Sequence, residues 1–285
     1  MTKTRVFILG CPRSGTTLLQ SLLTAHPSVA SFPESHFFRA LLRRRSVLRQ
    51  TFGLASRSAR PRFEEFLQEL GHEELNGLLP DHATFAWQYS RAFIRLLDLL
   101  AAEQHKEVWI EKTPGHLHYA EAIASHVPNA RFIHILRNGA DVVASLYEVT
   151  HRHPDIWGGQ RSIDDCIERW CQDAQISLQY HHHPRHRLVN YEDLVARPEL
   201  VLTTLCNFIG VPFNPIMLQN YKTAAQQVVL KDEQWKASVS QSIETNRIRK
   251  FHHVFDEQQQ HYILQQLSAV NLSSLSPNSL NYERV

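Results

Sequence analysis

The chain of 285 residues is long enough for one large α/β domain, and its 43% hydrophobic and 20% charged residues are ordinary for a soluble globular protein. A net charge of +2 is too mild to argue for a nucleic-acid partner, and no apolar stretch approaches the roughly 18 residues of a membrane-spanning helix. Four cysteines (Cys11, Cys166, Cys171 and Cys206) without CxxC spacing fit reduced thiols in a cytoplasmic protein.

Residues 6–9 (VFIL), closed by Gly10, read as a short buried parallel strand. Leu18, Leu19, Leu22 and Leu23 form a helical stripe over 15–25 that stops at His26 and Pro27. Strand, glycine-bearing turn and helix begin a nucleotide-binding βαβ unit. Residues 36–105 read as a mostly helical insertion, broken at Pro61 and Pro80. A strand at 108–110 precedes a helix after Pro114. The clearest strand is 131–136, followed by a helix over 138–149 whose first turn carries Asp141. The His-, Pro- and Gly-bearing stretch 150–161 reads as a loop and 163–180 as a helix. A last strand at 187–190 is followed by helices around 198–209. Residues 211–241 are less regular, 256–267 form a final helix, and the tail 269–285 frays. The whole of 1–285 is expected to be a single α/β domain, a central parallel sheet flanked by helices.

The loop 10–17 (GCPRSGTT) has the G-x-x-x-x-G spacing of a P-loop, with Thr16 where a Walker motif has lysine. Its glycines let backbone N–H groups curl toward an anion, and the helix starting near Gly15 adds its positive dipole end. Arg13 can supply the missing cation in planar, bidentate form. Ser14, Thr16 and Thr17 offer hydroxyl donors. A kinase would need the lysine and a metal-holding Asp at another strand end. The strand 131–136 ends instead in Arg137, a phosphate-binding residue.

With these blocks in place, the sequence resembles the sulfotransferases that use 3′-phosphoadenosine 5′-phosphosulfate (PAPS), in the arginine form of the tyrosylprotein and many bacterial enzymes. Residues 12–17 (PRSGTT) resemble the family's 5′-phosphosulfate loop. Residues 132–145 (FIHILRNGADVVAS) resemble its 3′-phosphate motif, whose arginine and serine correspond to Arg137 and Ser145. Residues 111–114 (EKTP) resemble the segment with the catalytic lysine, here Lys112, and 189–194 (VNYEDL) resemble a later block that contains Tyr191. The resemblance runs in order over about residues 5–215. It implies a P-loop NTPase-like sulfotransferase fold with helical insertions, PAPS as donor, PAP as product and no metal.

Sulfuryl transfer resembles phosphoryl transfer, with in-line attack and charge building on the leaving oxygen. Lys112, Arg13 and the loop amides are expected to stabilise that charge. The cytosolic small-molecule enzymes carry a histidine two residues after this lysine, and here that position is Pro114. Two candidates for the general base remain. Glu34 stands at the position of the catalytic glutamate of the tyrosylprotein enzymes, and His116 follows Lys112 by one helical turn. At the C-terminal end, Ser240, Arg247 and Lys250 are candidate cofactor contacts, with a solvated basic helix end as the alternative for Arg247 and Lys250.

The 18 histidines, His181–His183 included, show no metal-ligand spacing. The basic helix carrying Arg43, Arg44 and Arg45 reads as a solvated face. Phe32, Phe37, Phe38, Phe85, Trp87, Tyr89 and Trp157 read mostly as core, some of them available to an acceptor pocket. The expected acceptor is the hydroxyl, or an amine, of a small molecule. A P-loop small-molecule kinase and a non-catalytic nucleotide-binding protein are the competing readings.

Overall fold

A computed structural model of the chain describes residues 3–42, 51–228 and 249–270. Five strands, β1 (Thr4–Gly10), β2 (Val29–Ser31), β3 (Val108–Lys112), β4 (Ala130–Leu136) and β5 (His186–Asn190), form one parallel sheet in the order β2-β3-β1-β4-β5. β1 sits at the centre because both its faces are apolar. Val6 and Ile8 belong to one core and Phe7 and Leu9 to the other, as a side-chain period of two requires. The second core is aromatic: Phe7 contacts Phe38, Trp109 and Phe132, and Phe37 stacks on Phe93 with ring centroids 4.3 Å apart.

The helices cover both faces. α1 (Thr16–Thr24) follows β1, and α2 (Phe37–Leu41), α3 (Ala59–Leu70) and α4 (Ala86–Glu103) lie in the insertion. A 3₁₀ turn at Pro114–Tyr119 leads into α5 (Ala120–His126), and α6 (Gly139–Arg152) follows β4. Beyond it come α7 (Pro154–Trp157), α8 (Ile163–Gln179), α9 (Tyr191–Ala196), α10 (Pro198–Ile209), α11 (Ile216–Val228), α12 (Arg249–Val254) and α13 (Glu257–Leu267).

Several elements depart from the sequence expectation. The three-residue edge strand β2 is too short to carry a periodicity. Pro61 does not break a helix but lies in the first turn of α3, where a missing N–H costs no intrahelical bond. The expected loop 150–161 is partly helical: α6 runs on to Arg152, and Pro154 starts α7. In the stretch expected to be irregular, α11 forms with Met217, Tyr221, Ala224 and Ala225 buried. Ser240, Arg247 and the Arg43–Arg45 triplet lie outside the described residues.

What matters for function is the carboxyl edge of the sheet. Ile8 pairs with Lys112, Gly10 with Ile135, and Leu136 with Asn190. Lys112, Arg137, Tyr191 and the loop after Gly10 therefore leave the sheet side by side, at the edge where open parallel sheets bind ligands.

Candidate active site

The loop between β1 and α1 is shaped by contacts that only glycine permits. A Cβ on Gly10 would lie 2.6 Å from the Ile135 carbonyl oxygen. Gly15 caps α1 at φ +96°, and its Cβ would lie 2.4 Å from the Tyr191 ring. Arg13 also has a left-handed backbone, at φ +74°. The opening N–H groups of α1 point into this loop because a helix start has no partners of its own for them. Two buried polar atoms beside it, Ser14 Oγ and Arg137 Nε, have no hydrogen-bond partner among the described residues. Buried donors without partners carry a desolvation cost that a bound anion removes. The residues present thus fit a phosphate or phosphosulfate group.

Arg137 is buried at the end of β4. Its guanidinium carbon stands 4.5 Å above the Tyr191 ring, and an Nη reaches Asp141 Oδ2 at 3.1 Å, the pairing its spacing to Asp141 allows. Its carbonyl accepts from Trp170 Nε1. Asn138 caps α6 by accepting from the N–H groups of Ala140 and Asp141, which leaves that helix start beside Arg137. Ser145 lies on the same helix and its Oγ accepts from Arg13 Nε at 3.0 Å. Arg13 was expected to stand at the 5′ end with Lys112; its side chain instead bridges from the loop to the residue expected at the 3′ end. Lys250 pairs with Glu148 of α6, one turn beyond Ser145.

At the end of β3, Lys112 is 1% exposed and its Nζ lies 2.5 Å from Glu34 Oε1 and 3.4 Å from Thr17 Oγ1. Glu34 is 14% exposed, and its Oε2 is 3.7 Å from His36 Nε2. Thr16 and Thr17 are buried at the start of α1. Glu34, Lys112 and the phosphate loop therefore meet at one point.

The other base candidate, His116, is placed differently from the expectation. Rather than reaching toward Lys112 and an acceptor as a base would, it is fully buried with both ring nitrogens bonded. Nε2 accepts from the Phe38 N–H at 3.2 Å, so the ring proton sits on Nδ1, which donates to Glu111 Oε2 at 3.0 Å. No nitrogen is left for an acceptor. Glu111 itself is fully buried. Burial pushes its carboxyl up, but the facing His116 and hydrogen bonds from Thr113 and Ser35 outweigh that and hold it below the usual range.

Sequence reasoning missed Glu111, Ser35, Thr113 and Arg62 as parts of the site. One signal was available: residues adjacent on a strand face opposite sides, so Glu111 had to turn away from the loop that Lys112 faces. Nothing in the sequence names its partners. Of the aromatics proposed for an acceptor pocket, Phe32, Phe37, Phe38 and Tyr89 are core, while Phe85 and Trp87 are exposed. Among the described residues no group of three or more His, Cys, Asp or Glu is placed to hold a metal ion, and no helix is long and apolar enough to cross a membrane.

This arrangement agrees with what the chain is similar to. It is 28% identical over 219 residues to protein-tyrosine sulfotransferase 1 of Danio rerio, covering 75% of this chain and 55% of that protein. The chain thus spans about half the length of that relative. In three dimensions it is similar to the sulfotransferase domain from the curacin biosynthetic pathway, with TM-score 0.61 at 22% identity, covering 94% of this chain and 98% of that one. It also shares its fold with mouse sulfotransferase SULT7A1 complexed with PAP, at TM-score 0.54 and 10% identity, over 99% of this chain and 88% of that one. The profile of the Sulfotransferase family matches residues 5–215, the same span that holds the loop, Glu34, Lys112, Arg137 and Ser145. The chain belongs to the sulfotransferase family.

Proposed function

We propose that the protein transfers the sulfuryl group of PAPS to a hydroxyl group and releases PAP. The observation that carries this reading is the convergence of two anion sites on one sheet edge. One is the loop 10–17 with Lys112; the other is Arg137 with Ser145. An ATP-using enzyme has no need of the second. PAP bound to a protein of the same fold supports the choice of nucleotide.

PAPS supplies an activated sulfuryl group on a good leaving group. The chain's own residues then have distinct tasks. Ser14, Gly15, Thr16 and Thr17 present donors to the 5′ end, and Lys112 places a cation beside them. Arg137 and Ser145 receive the 3′ phosphate, with Tyr191 as the floor under the guanidinium; Lys250 pairs with Glu148, one turn beyond Ser145 on α6. Glu34 accepts the acceptor's proton at Oε2, while Lys112 holds Oε1 and fixes the carboxylate's direction.

The acceptor we infer is a small-molecule hydroxyl. A second reading, a protein tyrosine, is favoured by the similarity to protein-tyrosine sulfotransferases and by Glu34. Transfer of labelled sulfate from PAPS to p-nitrophenol, a primary alcohol and an acidic tyrosine peptide distinguishes the two. Label in the peptide alone refutes the small-molecule acceptor. Label in none of the three, with PAP bound, refutes the transferase reading in favour of a nucleotide binder.

A further inference from the structure

Residues 34–38, the end of the connection from β2 and the first turn of α2, have no sheet to hold them, yet they carry Glu34. A single buried cluster anchors them. Glu111 Oε1 accepts from the Ser35 N–H at 3.3 Å and from Ser35 Oγ at 2.7 Å, and Thr113 Oγ1 donates to the same oxygen at 2.6 Å. The Thr113 oxygen accepts from the His36 N–H at 3.2 Å, and His116 Nε2 accepts from the Phe38 N–H at 3.2 Å. From the insertion, Arg62 of α3 donates to the carbonyls of Ser35, at 2.5 Å, and Glu34, at 3.4 Å. Its guanidinium is in turn braced by Glu65 and Glu69.

The arrangement is economical in chain terms. Glu111 and Lys112 are neighbours on β3, so their side chains leave opposite faces of the sheet. Lys112 turns to the phosphate loop and meets the Glu34 carboxylate. Glu111 turns the other way and takes the backbone one residue beyond Glu34. The strand thus grips the segment 34–35 from both sides. His36 keeps a left-handed backbone at φ +49°, a conformation a non-glycine residue adopts when its surroundings dictate it.

We infer that Glu111, His116 and Thr113 form a positioning clamp that sets the Glu34 carboxylate against Lys112 and the acceptor hydroxyl. In this role His116 is a positioning residue: it gives its Nδ1 proton to Glu111 as a hydrogen-bond donor, receives one from Phe38, and exchanges none with the acceptor. The inference rests on the reading of Glu34 as the base. A clamp of this kind acts on orientation, and misplacement of a reacting group by about 1 Å can lower turnover by about a hundredfold. The donor site, on the other face of β3, is untouched.

The test compares four variants in the full chain, using PAPS with p-nitrophenol, or with the tyrosine peptide where p-nitrophenol is not turned over. His116→Gln offers an amide N–H to Glu111 and an oxygen to Phe38, so it keeps both bonds while removing any basic nitrogen. It is expected to retain kcat within a fewfold, whereas His116→Ala and the milder Thr113→Val lose at least about tenfold in kcat. In all three the KM for PAPS and the thermal shift caused by PAP stay near wild type. ¹⁵N-histidine NMR supplies a readout independent of activity: the resonance lost in His116→Gln belongs to a ring protonated on Nδ1 and bare at Nε2. A His116→Gln variant as inactive as Glu34→Gln would show that His116 does chemistry and overturn the clamp. So would folded His116→Ala and Thr113→Val proteins with wild-type kcat, or an Nε2-protonated ring. Full turnover by Glu34→Gln is a separate failure, that of the base assignment.

Discussion

Replacing Gly15 by alanine links the fold to the site in one methyl group. At φ +96° an L side chain costs about 1–2 kcal/mol before any contact is made. The new Cβ would then stand 2.4 and 2.5 Å from two carbons of the Tyr191 ring, where ordinary contacts begin at 3.4 Å, so the ring must retreat by roughly 1 Å. It cannot retreat freely, because its other neighbour is the Arg137 guanidinium at 4.5 Å. Overpacking of this kind adds about 1–3 kcal/mol, for a total of roughly 2–5 kcal/mol and, at about 2 °C per kcal/mol for a chain of this size, a fall in Tm of about 4–10 °C. The displaced ring also moves the floor of the Arg137 site. PAP affinity should therefore drop about tenfold, removing about 1.4 kcal/mol of PAP-induced stabilisation. Urea titrations and thermal melts with and without PAP measure both effects. A Gly15→Ala protein with wild-type stability and wild-type PAP response would refute this account of how loop, Tyr191 and Arg137 are coupled.

Three further outcomes follow from named contacts. Glu34→Ala leaves the buried Lys112 ammonium without its 2.5 Å carboxylate and should cost about 3 kcal/mol in denaturant titrations. Lys112→Met should cost less, because Glu34 retains some contact with solvent; equal costs would contradict the burial asymmetry. Stability should also fall in acid through the His134–His186 pair. Burial pushes His134 well below its usual value, and burial with the nearby His183 and Arg185 pushes His186 down to about 3. Both rings therefore bind fewer protons folded than unfolded. The stability they contribute is complete above about pH 6.5 and is lost on descent toward pH 3, on the order of a few kcal/mol. Urea midpoints across that range should show a shallower slope in His186→Phe, and an unchanged slope would refute the assignment.

The order of elements along the chain was legible because the central strands β1 and β4 are largely apolar on both faces and the helices between the strands are capped or bounded by proline and glycine. β1, β4 and α1 announce themselves in this way. β2 does not, since three residues paired on one edge of β3 leave no pattern. Pro61 and Pro154 misled for a shared reason: proline stops a helix it sits within but is tolerated in a first turn, and sequence alone does not say which applies. In the site, the residues that touch an anion belong to motifs and could be named. The residues that hold those in place could not. Glu111 reaches Ser35 across a separation of 76 positions, and Arg62 comes from an insertion without a motif. His116 shows the limit best, because its spacing from Lys112 suits a base equally well as a buried linker, and only its bonds to Glu111 and Phe38 separate the two.

The central claim is that the loop 10–17 and the Arg137–Ser145 pair bind the two ends of one nucleotide carrying both a 5′ and a 3′ phosphate. Its most direct test is the thermal shift produced by PAP against that produced by ADP, with and without Mg²⁺, at equal concentration. PAP should stabilise the protein in the absence of metal, and ADP should do so much less in either condition. Stabilisation by ADP–Mg²⁺ with no response to PAP would contradict the account.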